Sequence, residues 1–213
     1  MEVAVEIVKL SKSFRNENVL KEISHSFEEG KIHGIMGFNG SGKTVMFKCV
    51  CGFLRPDSGY VKVQEKRIGK DIDFPPSLGM IIENPGFLPH LNGFENLKRL
   101  ADLNKKVGRE EVMEAITRLG LDPNSKKKVG QYSLGMRERL GIAQAIMEDP
   151  DLIILDEPFN GLDKKGVIEV CELFEELRGR GKTVLLAAHN MPHMEGLCDT
   201  ICEMDAGVLN QIK

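Results

Sequence analysis

The chain has 213 residues, 41% of them hydrophobic and 29% charged, with a formal net charge of −3 at pH 7. That length can bury a real core, and the composition is that of an ordinary globular protein rather than a fibrous or disordered one. The acidic balance argues against a nucleic-acid partner, which favours a basic face. No apolar run approaches the ~18 residues needed to cross a bilayer, so any membrane association is expected to come through a partner. Met1-Glu2-Val3-Ala4-Val5-Glu6 lacks the basic-then-apolar order of a secretory leader. The five cysteines (49, 51, 171, 198 and 202) form no C-x-x-C pair and are expected to be buried free thiols.

In chain order, Val3 to Leu10 reads as a strand and is followed by a polar stretch carrying Phe14. Val19 to Phe27 alternates in part and suits a second strand, with Glu28-Glu29-Gly30 turning into the apolar run Ile32 to Met36. A helix is expected from Lys43 to Cys51, a turn at Arg55 to Gly59, and strands at Tyr60 to Gln64 and Leu78 to Ile82. From Asn92 to about Met147 the period changes. Phe94, Leu97, Leu100 and Ala101 recur at helical spacing, as do Val112, Ile116 and Leu119, and a third helix is expected from Leu134 to Met147 with Ser133 as its N-cap. Strand and helix then alternate again: Leu152 to Leu155, a helix over Val167 to Leu177, Thr183 to Ala188, and a short helix over Met191 to Cys198. A closing strand pair spans Ile201 to Met204 and Val208 to Ile212. The order predicts an α/β core interrupted by a helical insertion, with an antiparallel piece near the start of the chain.

Three places carry chemistry. Gly37-Phe38-Asn39-Gly40-Ser41-Gly42-Lys43-Thr44 fits the G-x-x-x-x-G-K-[ST] phosphate-binding loop, in the strand–loop–helix context the motif requires. Its glycines let backbone N–H groups turn toward a phosphate chain, and the helix that follows adds its positive dipole end. Lys43 is expected to reach the β- and γ-phosphates and Thr44 to ligate Mg²⁺, so the chain is expected to bind a nucleoside triphosphate. Leu152 to Leu155 followed by Asp156 and Glu157 reads as a buried parallel strand ending in two acids. There Asp156 can hold Mg²⁺ opposite Thr44, and Glu157 can polarise an attacking water as general base. His189 ends another strand, where a sensor of the γ-phosphate belongs.

Tyr132-Ser133-Leu134-Gly135-Met136, taken with these motifs and with Gly161-Leu162-Asp163, closely resembles the nucleotide-binding subunit of an ATP-binding cassette (ABC) transporter, over essentially the whole chain. The resemblance implies a single domain (1–213) with a RecA-like P-loop core, an antiparallel β subdomain and a helical subdomain inserted at about 84–148. It implies ATP and Mg²⁺ as ligands, with Gly37, Asn39, Gly40, Ser41, Gly42, Lys43 and Thr44 around the phosphates and Phe14 stacked on adenine. It also implies that Ser133 and Gly135 contact ATP held by an opposite subunit, in a homodimer or pseudo-dimer of cassettes, although Leu134 and Met136 stand where glycine and glutamine are usual. The chain would work at the inner face of the membrane with a separate integral-membrane permease.

The family usually places glutamine at the end of the strand assigned to Leu78–Ile82, where this chain has Glu83. With Asn84-Pro85-Gly86-Phe87-Leu88-Pro89 and the variant Tyr-Ser-Leu-Gly-Met, it resembles the subgroup serving bacitracin resistance and lantibiotic self-protection, which implies export of a peptide antibiotic. Glu83 would then be a further Mg²⁺ ligand, beside Thr44 and Asp156. A soluble ATP-gated clamp or assembly factor without a transported substrate is the alternative class.

Overall fold

The computed structural model describes residues 2–15, 17–189 and 192–213. Two sheets and one buried helix between them build the part that holds the phosphate loop. The first sheet pairs β1 (Val3–Phe14) with β2 (Glu17–Glu28) and with β4 (Ser58–Val63), all antiparallel, and β5 (Lys66–Arg67) closes its edge. The second has the order β10-β9-β3-β8-β7-β6, where β3 is Ile32–Met36, β6 Leu78–Ile81, β7 Leu152–Asp156, β8 Thr183–Ala188, β9 Thr200–Asp205 and β10 Val208–Gln211. Strands β9, β3, β8, β7 and β6 are mutually parallel, and β10 is the antiparallel edge.

The interior strands are apolar on both faces because both faces are covered. Alternate residues go to different cores, as the pleat requires. Ile153, Leu155, Val184 and Leu186 pack with helices α3 (Arg109–Arg118), α4 (Leu134–Ile146) and α5 (Lys164–Gly179). Leu152, Ile154, Leu185 and Ala187 pack with α1 (Lys43–Val50) and, through it, with Val5, Ile7, Phe27 and Val61 of the first sheet. Helix α1 is therefore clamped between two sheets, with Met46 and Phe47 fully buried. Truncating Phe47 to alanine would cost about 3–5 kcal/mol on the usual scale for buried aromatics.

Between β6 and β7 the chain forms α2 (Gly93–Asn104), α3 and α4. Asn92 begins α2 with a full capping box: its side chain accepts from the Glu95 N–H while the Glu95 carboxylate accepts from the Asn92 N–H. Ser133 caps α4 as its sequence suggests, accepting from the Met136 N–H at 3.2 Å.

Several boundaries differ from the sequence reading. Strand β1 runs on past Leu10 to Phe14, because Ser13 and Phe14 pair with Asn18 and Glu17. Irregular register around Lys9 (φ 46°) and Glu22 (φ 49°) breaks the alternation that would have revealed the longer strand. Helix α5 starts at Lys164, three residues before the first apolar position used to find it, since Asp163 accepts from the Gly166 N–H at 2.8 Å and caps it. The predicted helix over Met191–Cys198 is a single turn, α6 (Pro192–Glu195), and Met191 lies outside the described residues. The cysteines are free, and burial pushes the Cys49, Cys51 and Cys198 thiols up to about 12, so they are inert hydrophobes.

Candidate active site

Parallel strands place their carboxyl ends level. Met36 of β3 pairs with Ala188 of β8, Ala187 with Asp156 of β7, and Leu155 with Ile81 of β6. The phosphate loop, His189, Asp156–Glu157 and Glu83 therefore all emerge on one edge of the sheet. This is the edge where an open α/β sheet presents a binding crevice.

The loop between β3 and α1 needs its glycines. Gly37 (φ 157°) and Gly42 (φ 115°) adopt backbone conformations that side chains avoid, and a Cβ on Gly37 would fall 2.3 Å from the Met204 carbonyl oxygen. A Cβ on Gly42 would meet the Val19 carbonyl oxygen at 3.0 Å, whereas one on Gly40 would meet nothing within 4 Å, so that side of the loop is open. No side chain caps α1 and no acid occupies its first turn, which leaves its N-terminal N–H groups and dipole free for an anion. Asn39 is exposed on this open rim, while the Ser41 hydroxyl is buried without a hydrogen-bond partner.

Lys43 is 5% exposed. Its ammonium donates to the Gly37 carbonyl at 2.6 Å and the Phe38 carbonyl at 3.3 Å, and lies 3.8 Å from Glu157 Oε1. The Thr44 hydroxyl donates to Asp156 Oδ2 at 2.6 Å. Burial raises the Asp156 carboxyl above its ordinary value, Thr44 and Lys43 oppose the rise, and the neighbouring Glu157 and Glu83 charges add to it. Glu157 holds a left-handed backbone (φ 57°), fixed by its N–H donating to the Ala187 carbonyl at 2.8 Å. That conformation costs about 1–2 kcal/mol for a residue other than glycine. His189 Nδ1 lies 2.8 Å from Glu157 Oε2, while Glu157 Oε1 is buried with no hydrogen-bond partner. Strain and an unpartnered carboxylate oxygen beside a buried lysine are features of a reactive site.

Asn39, Lys43, Thr44, Asp156 and Glu157 line a cleft of about 500 Å³ together with Glu17 and Val19, and His189 meets it only through Glu157. Two more sites expected from the sequence lie elsewhere. Phe14, 45% exposed under the Lys12 ammonium at 5.6 Å, does not line the cleft, although Glu17, its partner across the β1–β2 pair, does. Ser133 and Gly135 are at the start of α4, also outside the cleft, and a Cβ on Gly135 would fall 2.6 Å from the Gly161 carbonyl oxygen. The segment that begins with Glu157 thus ends against Gly135. Glu83, again left-handed (φ 62°), lines the cleft but gives its Oε1 to the Lys48 ammonium at 2.8 Å. Lys48 is a site residue that no motif marks, and its position one helical turn after Thr44 is the only sequence signal for it.

The sequence matches the ABC transporter family over residues 20–160. The chain belongs to that family. It is 40% identical over 205 residues to the ABC transporter ATP-binding protein YybJ of Bacillus subtilis (strain 168), covering 96% of this chain and 94% of that protein. It is 38% identical over 211 residues to the bacitracin transport ATP-binding protein BcrA of Enterococcus faecalis, covering 98% of this chain and 68% of that one. The ATP-binding cassette MJ0796, in a dimeric post-hydrolysis state with ADP and Pi, superposes with a TM-score of 0.88 over 98% of both chains at 22% identity, a likeness of fold. The chain is accordingly an ATP-binding cassette that hydrolyses ATP, with the P-loop core expected from its motifs. Cassettes of this family dimerise and work with membrane permeases, and among the described residues no helix of this one is long and apolar enough to cross a membrane.

Proposed function

We propose that this cassette powers a separate membrane permease that exports a peptide antibiotic or a similar amphipathic compound, working at the inner face of the membrane. The bacitracin transport relative, 38% identical over nearly the whole chain, supports the class of cargo. The residues at 84–148, which carry α2 to α4, would be the inserted helical unit that faces the permease.

The observation that carries the chemistry is the Glu157–His189 contact at 2.8 Å, beside Lys43 and the Thr44–Asp156 pair. The open Gly40 side of the loop and the unpartnered Ser41 hydroxyl suit phosphate oxygens. Lys43, already desolvated, exchanges its loop carbonyls for the β- and γ-phosphates. Glu157 accepts a proton from the attacking water, and His189 holds that carboxylate in line and keeps its other ring nitrogen for the γ-phosphate. Thr44, Asp156 and Glu83 are oxygen donors of the kind Mg²⁺ takes, and among the described residues no cluster of three or more His, Cys, Asp or Glu is arranged to hold a metal ion alone. That donor set fits an ion shared with phosphate oxygens, and Mg²⁺ there would neutralise charge on the leaving phosphates. Phe14 would stack on adenine beyond the Glu17 edge. Ser133 and Gly135 would cap the ATP of a second copy.

Phosphate release by the purified chain tests the catalytic assignment. Glu157→Gln should bind ATP while turning it over roughly 10²-fold or more slowly. Undiminished turnover in that variant removes Glu157 as the base.

A further inference from the structure

Lys48 and Glu83 stand where two cavities meet. Both line the phosphate-side cleft, and both line a second cavity of about 310 Å³ whose other walls include Phe53, Ile82, Asn84 and Gln144. Their ion pair is therefore part of the partition between the two spaces. Lys48 lies on α1, whose first turn carries Lys43 and Thr44, and Glu83 follows the end of β6. The side chains are 33% and 62% exposed, and ion pairs that open to water add little to stability. Stability alone gives weak reason for the pair. Two further facts need one. Glu83 is held in a left-handed conformation, which persists only where its surroundings over-determine it. Moreover, Glu83 is a carboxylate on the wall of a cleft read as a phosphate site, where a bare negative charge opposes the ligand.

We propose that Lys48 is a positioning residue for the ATP site, holding the Glu83 carboxylate at the partition and screening its charge from the phosphates. The lysine acts through Glu83 rather than on the nucleotide. Its ammonium is directed to Glu83 at 2.8 Å, while Lys43 serves the loop. The pairing accounts for how an acid is accommodated at this place. The inference rests on the reading of Lys43 and the glycine loop as the ATP site.

A double-mutant cycle on the full chain tests it, with ATP affinity measured in EDTA so that no metal contributes, and melting temperature recorded for every variant. Lys48→Met should weaken metal-free ATP binding about fivefold or more, Lys48→Arg should restore most of it, and neither should shift the melting temperature appreciably. In a Glu83→Ala background the same Lys48→Met change should alter affinity by less than about twofold, because the charge it screens is gone. An equal loss in both backgrounds overturns the proposal, since Lys48 would then act on ATP by itself. A loss that follows a fall in melting temperature overturns it as well. Lys43→Ala separates the two levels: normal ATP binding there removes the site reading and this inference with it. Lost binding there, with equal Lys48→Met effects in both backgrounds, removes only this inference.

Discussion

On the proposed reading the strand-end cleft and the N-terminus of α4 are opposite halves of a nucleotide site, and they differ in how many of its groups they hold. At the strand ends, one chain gathers Lys43, Thr44, Asp156, Glu157, His189 and Glu83 from four parallel strands, with contacts of 2.6 to 3.8 Å tying most of them together. At α4, Ser133 spends its hydroxyl on capping its own helix, Leu134 is 53% exposed, and neither Ser133 nor Gly135 reaches the cleft. The first region holds the groups to which the proposed mechanism assigns hydrolysis. The second presents the start of a self-capped helix. The contrast teaches that the residues group by strand end and helix start, which is why the proposed site draws its second half from another copy. The Glu157–Asp163 segment leaves the cleft and brings the Gly161 carbonyl against Gly135, so the two regions touch within one chain.

The largest expected effect strikes the cleft alone. Lys43→Ala removes the one buried ammonium at the loop and should weaken ATP binding about 100-fold or more, read by equilibrium dialysis. Lys43 is 5% exposed and bonded to loop carbonyls, so a far-UV spectrum and melting temperature recorded beside the affinity separate lost binding from lost folding. Affinity close to that of the unmodified chain would dissolve the distinction drawn between the regions.

Leu134→Asp probes the other region. The new carboxylate at the first turn of α4 suits the helix dipole, so folding is expected to be intact. Facing the phosphates of a second copy, it should lower turnover by roughly ten- to a hundredfold while leaving single-chain ATP affinity as it was. Turnover and affinity falling together would mean that α4 belongs to the same half-site as Lys43.

The smallest effect sharpens the picture of α4 as a packed helix with only its start in play. Burial raises the Glu138 carboxyl from 4.5 to about 7. At pH below about 4.5 the group is protonated in both folded and unfolded chains and is neutral for folding. Between 4.5 and 7 the unfolded chain ionises first, so stability falls as pH rises, and above 7 the loss is constant. Glu138→Gln should therefore melt with the unmodified chain at pH 4.5 and a few degrees above it at pH 8. Calorimetry at the two pH values checks the sign.

Much of the cleft was legible from residue type and order. The glycine loop, the strand ending in Asp156–Glu157 and the strand ending before His189 each announce themselves by pattern, and parallel pairing then makes their ends level. What pattern does not carry is backbone conformation away from glycine. Nothing in the identities of Glu83 and Glu157 says that both adopt positive φ, and it is the fold around them that imposes it. Nor does a lysine in a helix announce its partner 35 residues away, as with Lys48 and Glu83. The early start of α5 is readable, since Asp163 three residues before Gly166 is an N-cap signal that apolar periodicity does not carry. Phe14 was found by its aromatic character, which carries no position: β1 pairs it with Glu17, and only Glu17 of the two lines the cleft.

The claim that the two regions are halves of one site is tested most directly by light-scattering mass of the Glu157→Gln chain at saturating Mg-ATP. With hydrolysis slowed, ATP should stay between two copies, and the mass should double relative to the nucleotide-free sample, with Leu134→Asp in the same background returning it to a single chain. A single-chain mass for Glu157→Gln with ATP bound at one per chain would contradict the account.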